Sequence, residues 1–340
     1  MSMPNFTPLS PSTIATAHQR IAPYIHRTPV VSSTLLNGWL GHEIFFKVEG
    51  LQKVGAFKVR GALNALLALK EKNALPDHVV AFSSGNHAQA VSYAAQKLGV
   101  KAIIFIPKEA SPIKIQATRG YGAEVIITQT RQEAEARVAD VVTTGATLIP
   151  PYDHDDIIAG QGTACFEALQ DGINPNAIFA ACGGGGWLSG TLLAAQLLAP
   201  AAKVFAAEPL LGNDATQSYR SGKIVRLPQT PPTLADGART LAISERTFFY
   251  LKQLTDFYEI TEDAMVYWTQ WLMHLLKTTV EPTSAMAMAA AHRWLQTQPT
   301  KQTVLIMLSG GNIDPQTYAK IFAQDCLSRV PRREDYTNSL

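Results

Sequence analysis

Residues 177–190 read AIFAACGGGGWLSG, and this stretch determines the fold that the sequence predicts. Ala177–Ala181 form the kind of short apolar run that makes a buried strand, and the residues after the glycines are typical of a helix. Glycines between a strand and a helix allow several backbone N–H groups to converge on one anion, aided by the helix dipole. We therefore interpret Gly183, Gly184, Gly185 and Gly186 as an anion cradle, for a phosphate, rather than as a flexible connector.

A dinucleotide-binding loop is the rival interpretation of the same stretch. Glu208 follows the next predicted strand, roughly where such folds place a ribose-binding acid. The G-x-G-x-x-G pattern lacks its third glycine, because Leu188 or Ser189 occupies that position. A nicotinamide-dependent dehydrogenase therefore stays open as an alternative from another class.

On both sides of this loop, short apolar runs alternate with helical stretches, which indicates parallel βαβ units and an α/β fold. The predicted strands are Glu43–Val48, Val79–Ser83, Ala102–Pro107, Glu124–Thr128, Ala177–Ala181, Lys203–Ala207 and Val304–Leu308. The predicted helices are Phe57–Lys72, His87–Leu98, Ile113–Tyr121, Gln132–Thr144, Gly160–Gln170, Leu188–Leu198, Asp263–Leu276 and Ser284–Gln296. Asn86 lies where a helix N-cap is expected, and Gly99 and Gly122 lie where C-caps are expected.

The length of 340 residues suggests two globular domains. One block of βαβ units runs from about residue 78 to 150 and another from about 153 to 326. Pro150 and Pro151, followed by the acidic run Asp153–Asp156, mark a boundary between the two blocks. Residues 328–340 are charged and lack periodicity, so we expect a polar, solvated tail.

The composition excludes several classes of partner. Charged residues make up 16% of the chain, where about 25% is usual for soluble proteins. The net charge of +2 gives no electrostatic signature of nucleic-acid or membrane binding. The uncharged stretch Gly172–Ala202 is long enough for a membrane span, but its glycines and prolines favour a buried strand, loop and helix. Scattered cysteines (Cys165, Cys182 and Cys326) and an N-terminus without signal-peptide features predict a cytoplasmic protein.

Three other segments could carry chemistry. Ser83-Ser84-Gly85-Asn86-His87 offers hydroxyls and backbone donors suited to a carboxylate, although an ordinary N-cap turn explains it equally well. Ser309-Gly310-Gly311-Asn312 places a neutral hydroxyl at the end of a strand. Lys58 has small or apolar neighbours, and burial would lower its pKa toward nucleophilic use, whereas most lysines near a helix start are solvated.

A further segment, Glu208-Pro-Leu-Leu-Gly-Asn-Asp214, contains two carboxylates around a glycine carbonyl. Such oxygen donors suit a hard cation such as Mg²⁺ or Ca²⁺. Taken alone, the segment is more typical of an Asx-type turn with a solvated acid.

Taken together, four motifs occur in the order found in fold type II pyridoxal-phosphate enzymes: AFKVRGA at 56–62, SSGNHAQA at 83–90, the glycine loop and SGGN at 309–312. From about Ile21 to Asp314 the chain resembles the serine racemase and serine/threonine dehydratase family. The resemblance implies two open parallel-sheet α/β domains of the tryptophan synthase β-like kind. It also implies that a small domain (76–150) is inserted in a large one (1–66 and 153–326), and that the protein is a homodimer.

The resemblance implies a role for each motif residue. Lys58 would bind pyridoxal 5′-phosphate covalently and remove the substrate Cα proton. The four glycines, with the Trp187 N–H, would bind the cofactor phosphate, Asn86 its 3′-oxygen and Ser309 its ring nitrogen. The resemblance implies that Ser83, Ser84 and His87 would hold the substrate carboxylate, and that Ser84 would also return a proton to Cα. It implies further that Glu208, the Gly212 carbonyl and Asp214 would bind a divalent cation.

The activity implied is β-elimination of L-serine and L-threonine to a keto acid and ammonia, with serine racemase activity. The alternative within the class is a 3-hydroxyaspartate ammonia-lyase. Three positions depart from the family pattern: Ala56 replaces a common serine, Phe82 replaces the histidine of mammalian-like racemases, and Glu133 aligns with an arginine near the substrate entrance, although Arg131 is close. The last departure speaks against dicarboxylic substrates.

Overall fold

The computed structural model describes residues 6–83 and 85–333, without the side chains of residues 131 and 132. A six-stranded sheet has the order β1 (Val30–Ser32), β2 (Glu43–Val48), β10 (Thr303–Leu308), β7 (Ala177–Ala181), β8 (Lys203–Pro209) and β9 (Asp256–Ile260). All neighbours in it are parallel except β1, which pairs with β2 in the antiparallel sense.

The second sheet is formed by one continuous segment of the chain between β2 and β7. Its four parallel strands have the order β5 (Glu124–Thr128), β4 (Lys101–Pro107), β3 (His78–Phe82) and β6 (Thr147–Leu148). Two parallel sheets confirm the predicted α/β class. The boundaries at residues 66, 76, 150 and 153 stay a prediction.

Helices cover the faces of the sheets. They are α1 (Thr13–Ile21), α2 (Thr34–Leu40), α3 (Lys58–Glu71), α4 (Asn86–Leu98), α5 (Pro112–Gly120), α6 (Arg131–Thr143), α7 (Asp155–Gln170), α8 (Gly186–Leu198), α9 (Asp214–Ser221), α10 (Glu245–Leu251), α11 (Glu262–Leu276), α12 (Pro282–Leu295) and α13 (Pro315–Ile321). All predicted strands and helices are present with small shifts at their ends, except that α7 begins at Asp155 rather than Gly160. Not predicted were β1, β6, β9, α1, α2, α9, α10 and α13.

The core lies on both faces of the six-stranded sheet. In β7 every residue is buried, with Phe179 packed toward α11 and α12 and Ile178 toward α7 and α8. Burial on both faces explains why the central parallel strands are apolar throughout and do not alternate. The apolar run that the sequence shows is therefore the middle of the larger sheet.

Close packing of α7 against α8 positions the glycine loop, because α8 begins directly after it. A Cβ on Gly162 would lie 2.5 Å from the Gly190 carbonyl oxygen, and one on Gly190 would lie 2.5 Å from the Gly162 nitrogen. Only glycine allows the two backbones to approach this closely.

The tail predicted to be solvated from Ser328 is attached up to Arg333. The Arg329 carbonyl accepts from Tyr267 Oη and Trp271 Nε1, both at 3.0 Å, and Pro331 is buried. The short tail therefore packs on α11 through its backbone and Pro331, while Ser328, Arg329, Arg332 and Arg333 remain exposed; residues 334–340 lie outside the described part. Among the described residues, no helix has the length and apolar character needed to cross a bilayer.

Candidate active site

A cavity of about 540 Å³ lies where the carboxyl ends of β3 and β7 meet. Parallel α/β sheets bind ligands at this edge. The predicted site residues that line the cavity are Lys58, Ser83, Asn86, His87, Gly183, Gly184, Gly185, Gly186 and Ser309. The remaining predicted catalytic residue, Ser84, lies outside the described residues.

Lys58 is the first residue of α3, and its Nζ donates to the Pro151 carbonyl at 2.7 Å. Burial lowers the pKa of this amine to about 7, although the charge of Glu281 acts in the opposite direction. A large share of Lys58 is therefore neutral near pH 7, which is the form that attacks a carbonyl carbon or accepts a proton.

The glycine loop forms a cradle that side chains would fill. A Cβ on Gly184 would overlap the Tyr152 ring, and one on Gly186 would lie 2.7 Å from Gln161 Oε1. Gly185 has φ +88° and is the N-cap of α8, so the first N–H groups of that helix face the loop. The buried Trp187 Nε1 has no hydrogen-bond partner. The backbone N–H groups of the loop and of the helix start fit a phosphate group.

Asn86 does not cap α4, contrary to the prediction. Gly85 is the N-cap and makes no side-chain cap bond, while Asn86 is the first helical residue. Its Nδ2 donates to the Glu281 carboxylate at 3.0 and 3.2 Å. The Asn86 side chain therefore contacts Glu281 and makes no cap hydrogen bond with the backbone N–H groups at the start of α4.

Glu281 is the principal site residue that sequence reasoning missed. Its side chain is 1% exposed, and the Ser309 hydroxyl donates to its Oε1 at 3.3 Å. Burial and the nearby Asp236 charge raise the pKa of Glu281 above its usual value. The available signal was its position in VEPTSA at 280–285, directly before the proline that starts α12.

His87 lines the cavity as a neutral ring. Its Nε2 donates to the Ile149 carbonyl at 2.8 Å, and burial and the Lys58 charge lower its pKa to about 3. The buried Nδ1 has no partner and is left as an acceptor. The ring therefore cannot donate to a substrate carboxylate, and a contact of that kind would come from backbone N–H groups at the start of α4. Ser83 Oγ accepts from the Gly85 N–H at 3.2 Å.

The predicted cation site lies outside the cavity lining, between β8 and α9. Both oxygens of Glu208 accept hydrogen bonds from the start of α9, at 2.9 Å from the Ala215 N–H and 2.8 Å from the Thr216 N–H. Asp214 Oδ2 is buried without a partner, and Gly212 is buried in the short turn between the two acids. Both acids are buried, so the alternative of a solvated acid is wrong.

This donor set fits a hard cation. Burial raises the pKa of Glu208 to about 8, with the Asp214 charge adding to it, and burial raises that of Asp214 to about 7. A cation would stabilise the two carboxylates against this desolvation. Within the described ranges, no three His, Cys, Asp or Glu side chains form a metal-binding group, so the site would depend on two carboxylates and carbonyl or water oxygens.

Three further charged residues at or near the cavity were not predicted. Lys114 on α5 forms an ion pair with Asp236, a lining residue from the loop between α9 and α10. Arg239 also lines the cavity and donates to the Thr233 carbonyl at 2.6 Å. Glu133, expected near the substrate entrance, instead accepts from the Gln129 N–H at 2.7 Å and does not line the cavity.

Comparison with known proteins gives matches over most of the chain. A family model described as pyridoxal-phosphate dependent enzyme matches residues 21–310. An L-threo-3-hydroxyaspartate ammonia-lyase of Saccharomyces cerevisiae is 43% identical, over 90% of this chain and 94% of the relative. A serine racemase of Schizosaccharomyces pombe is 40% identical, over 92% of this chain and 96% of the relative.

The solved structures agree with the sequence relatives. A threonine deaminase from T.th. superposes with a TM-score of 0.84 at 42% identity, covering 90% of this chain and 99% of that one. These matches leave the nicotinamide-dependent dehydrogenase alternative without support.

Proposed function

The chain belongs to the pyridoxal-phosphate dependent enzyme family, and we propose that it eliminates the β-hydroxyl of L-serine and L-threonine to give a keto acid and ammonia. We propose serine racemisation as an accompanying activity. The observation that carries the proposal is a lysine with a lowered pKa in the same cavity as a glycine cradle, Asn86 and Ser309. The relatives named above include a serine racemase and a threonine deaminase.

The cofactor would be held by residues from both sheets. The loop Gly183–Gly186 and the start of α8 would bind the phosphate, while Asn86 and Ser309 would contact the ring. When bound, pyridoxal phosphate supplies an electron-withdrawing ring that makes the substrate Cα–H acidic. Ser309 would place a neutral hydroxyl instead of a carboxylate at the ring nitrogen, and such a partner would leave that nitrogen unprotonated and favour loss of the β-hydroxyl.

Lys58 would serve as the proton acceptor at Cα. Its neutral amine is available near pH 7 because burial disfavours the ammonium form. For racemisation, a second group must return a proton from the opposite face, and the resemblance assigns this to the Ser84 hydroxyl. A serine hydroxyl is a poor base without activation, so we place elimination first.

A 3-hydroxyaspartate ammonia-lyase is the second candidate. The L-threo-3-hydroxyaspartate ammonia-lyase of S. cerevisiae is 43% identical to this chain. Arg239 lines the cavity, and a guanidinium can bind the second carboxylate of such a substrate through two parallel hydrogen bonds. Arg239 would supply a cation in place of the arginine that the family pattern has where this chain has Glu133.

A substrate panel tests both candidates. Keto-acid release is measured for L-serine, D-serine, L-threonine and L-threo-3-hydroxyaspartate, and serine enantiomers are separated by chiral chromatography. We expect L-serine and L-threonine to be turned over and Lys58→Ala to abolish turnover and the borohydride-trapped pyridoxyl adduct. A kcat/KM for hydroxyaspartate more than tenfold above that for serine would instead select the second candidate.

The variant Arg239→Met separates the two candidates further. If Arg239 holds a β-carboxylate, this variant loses hydroxyaspartate turnover and keeps serine turnover within about threefold. Equal losses on both substrates would assign Arg239 to the shape of the loop that it stabilises through the Thr233 carbonyl.

Three properties accompany this function as proposals. A divalent cation is supported by the buried pair Glu208 and Asp214. A homodimer is supported by the low content of charged residues, and light scattering giving about twice the 36.9 kDa monomer mass tests it. A cytoplasmic location is supported by the buried free thiols Cys165 and Cys182, which fit a reducing compartment.

A further inference from the structure

The side-chain amide of Asn86 is held from two sides. Its Oδ1 accepts from Asn312 Nδ2 at 2.8 Å, and its Nδ2 donates to the Glu281 carboxylate at 3.0 and 3.2 Å. Asn312 Nδ2 also donates to the Val54 carbonyl at 2.7 Å. A carbonyl only accepts, so the nitrogen of Asn312 must face Val54. The oxygen of Asn86 therefore faces Asn312, and its nitrogen faces Glu281.

The start of this chain of hydrogen bonds is strained. Val54 has φ +58°, a left-handed conformation that a β-branched residue rarely adopts. The next residue, Gly55, has φ +70°, and a Cβ on it would lie 2.5 Å from Asn312 Oδ1. Strain of this kind persists where surrounding contacts enforce it, and it concentrates at functional sites. The backbone at 54–55 is thus shaped to receive the Asn312 amide.

We propose that Glu281 and Asn312 are positioning residues that together fix the orientation of the Asn86 amide toward the cavity. Asn86 Nδ2 carries two hydrogens, and Glu281 takes one of them. The second hydrogen stays available for an acceptor in the cavity, where the proposed function places the 3′-oxygen of the cofactor. The inference rests on that proposed function.

Glu281 is suited to this task because both of its carboxyl oxygens can accept hydrogen bonds. Its Oε1 also accepts from the Ser309 hydroxyl at 3.3 Å, so one carboxyl touches both residues proposed to contact the cofactor ring. Ser309 Oγ also lies 2.9 Å from Ser284 Oγ, whose own proton goes to the Gly310 carbonyl at 2.8 Å, so the single Ser309 proton is shared between Ser284 and Glu281. The wall of the cavity is therefore one connected set of donors and acceptors.

Paired variants at Glu281 test whether an acceptor or a charge is needed. Glu281→Gln keeps an amide oxygen that can accept from Asn86, whereas Glu281→Met fills a similar volume without an acceptor. The readout is the dissociation constant of pyridoxal phosphate from apo-protein, measured by fluorescence. We expect Gln to stay within about threefold of the wild type and Met to weaken binding about tenfold, the effect of roughly one hydrogen bond. Equal weakening in both variants would overturn the proposal, since the charge would then be what matters.

A double-mutant cycle tests Asn312 independently of Glu281. We expect Asn312→Ala to weaken cofactor binding about fivefold in the wild type and less than twofold in an Asn86→Ala background, because coupled residues are not additive. Asn37→Ala is the matched control: its amide accepts from the Ile44 N–H at 3.1 Å outside the cavity lining, and binding should not change. Additive effects of Asn312→Ala and Asn86→Ala would overturn the inference.

The same measurements separate the inference from the function on which it rests. A wild-type protein without measurable cofactor binding would remove the proposed function itself. Normal cofactor binding by Asn86→Ala would remove the role of Asn86 and with it this inference. If Glu281→Met does not fold, as judged by thermal unfolding of the apo-protein, the Asn312 cycle still decides.

Discussion

Lys58 shows how one residue is prepared by its surroundings. Removal of its ammonium from water lowers the pKa to about 7, and the Glu281 charge opposes this without cancelling it. His87, which also faces Lys58, has a pKa of about 3 and stays neutral above pH 5. The protonation of Lys58 near neutral pH is therefore governed by its own burial and by Glu281.

We predict that capture of pyridoxal phosphate by the apo-enzyme follows the neutral fraction of Lys58. For a pKa near 7, that fraction rises about tenfold between pH 6 and pH 8 and then levels off, whereas an ordinary lysine at 10.5 would continue to gain about tenfold per unit. The initial rate of adduct formation at constant cofactor concentration measures this. N-acetyl-lysine amide in the same buffers is the control for the ionisation of the cofactor itself.

The variant Glu281→Gln tests the direction in which the Glu281 charge shifts the pKa of Lys58. Because the Glu281 charge raises the pKa of Lys58, its removal should move the midpoint of the capture profile to lower pH. A wild-type midpoint near pH 10, or a midpoint that moves to higher pH in Glu281→Gln, would contradict this description of the site.

Functional residues that belong to short sequence motifs could be recognised, whereas those without a local motif could not. Lys58, Ser309 and the glycine loop stand in motifs that occur in a fixed order along the chain, so the family resemblance could single them out. Glu281 meets Asn86 across 195 residues, and Lys114 meets Asp236 across 122. A single acid or lysine without a local pattern looks like a solvated side chain, and only the folded chain shows its partner.

Among the elements, the junction of β7 and α8 depends on a backbone conformation that favours glycine. Gly185 has φ +88°, and a Cβ there would lie 2.9 Å from both Leu251 and Thr247 side-chain carbons. We predict that Gly185→Ala lowers stability by about 2 kcal/mol and weakens cofactor binding, because strain and a steric clash act together. Thermal unfolding and equilibrium binding of pyridoxal phosphate measure the two effects.

Gly172 provides a matched control for the glycine loop. It has the same φ of +88°, but a Cβ there would meet nothing within 4 Å. Gly172→Ala should therefore show the cost of the backbone conformation alone, about 1 kcal/mol, and leave cofactor binding unchanged. Equal effects of both variants on cofactor binding would mean that the loop does not hold the phosphate.

The turn between β8 and α9 leads to a prediction about metal removal. If Glu208 and Asp214 hold a divalent cation, EDTA should lower the melting temperature, and Mg²⁺, Mn²⁺ or Ca²⁺ should restore it. A cation at a hundred times its dissociation constant stabilises the folded state by about 2.7 kcal/mol. Asp214→Asn should melt at the same temperature with and without chelator, whereas an EDTA response that persists in this variant would place the cation elsewhere.

The three strands that were not predicted share a physical reason. β1 and β6 have three and two residues, too few for a pattern to appear, and both lie at sheet edges. β9, Asp256–Ile260, carries two acidic residues because it too is an edge strand. Central strands are buried on both faces and show a continuous apolar run, so they could be found.

For the whole molecule, strand order is the property that the sequence could not supply. The last strand, β10, inserts between β2 and β7 and thereby places Ser309 beside Lys58 and the glycine loop in one cavity. Alternation of strands and helices predicts parallel sheets but not which strand is central. The family resemblance, not the periodicity, implied that a second α/β unit interrupts the first.

The ion pair between Lys114 and Asp236 joins the two α/β units across the cavity. Lys114 lies on α5, beside the four-stranded sheet, and its side chain is 8% exposed, while that of Asp236 is 38% exposed. The Asp236 charge raises the pKa of Lys114, with smaller contributions from Glu281 and Asp314. The next residue, Gly237, donates to Thr283 Oγ1 at 3.2 Å, so α12 also holds the loop that carries Asp236.

We predict that Asp236→Asn raises the KM for L-serine several-fold and changes kcat less, because Asp236 lines the cavity and its pair with Lys114 holds the two units together beside it. Stability should fall by only about 1 kcal/mol, since Asp236 is partly solvated and Lys114 keeps other acidic neighbours. Glu43→Gln is the matched control, because it removes the acidic charge of the exposed 2.8 Å pair between Glu43 and Lys301. This pair lies at the amino ends of the strands of the larger sheet, opposite the cavity. That variant should leave KM unchanged and stability within about 0.5 kcal/mol. If both variants give the wild-type KM, the pair is a surface contact and the two units are held in register by their packing alone.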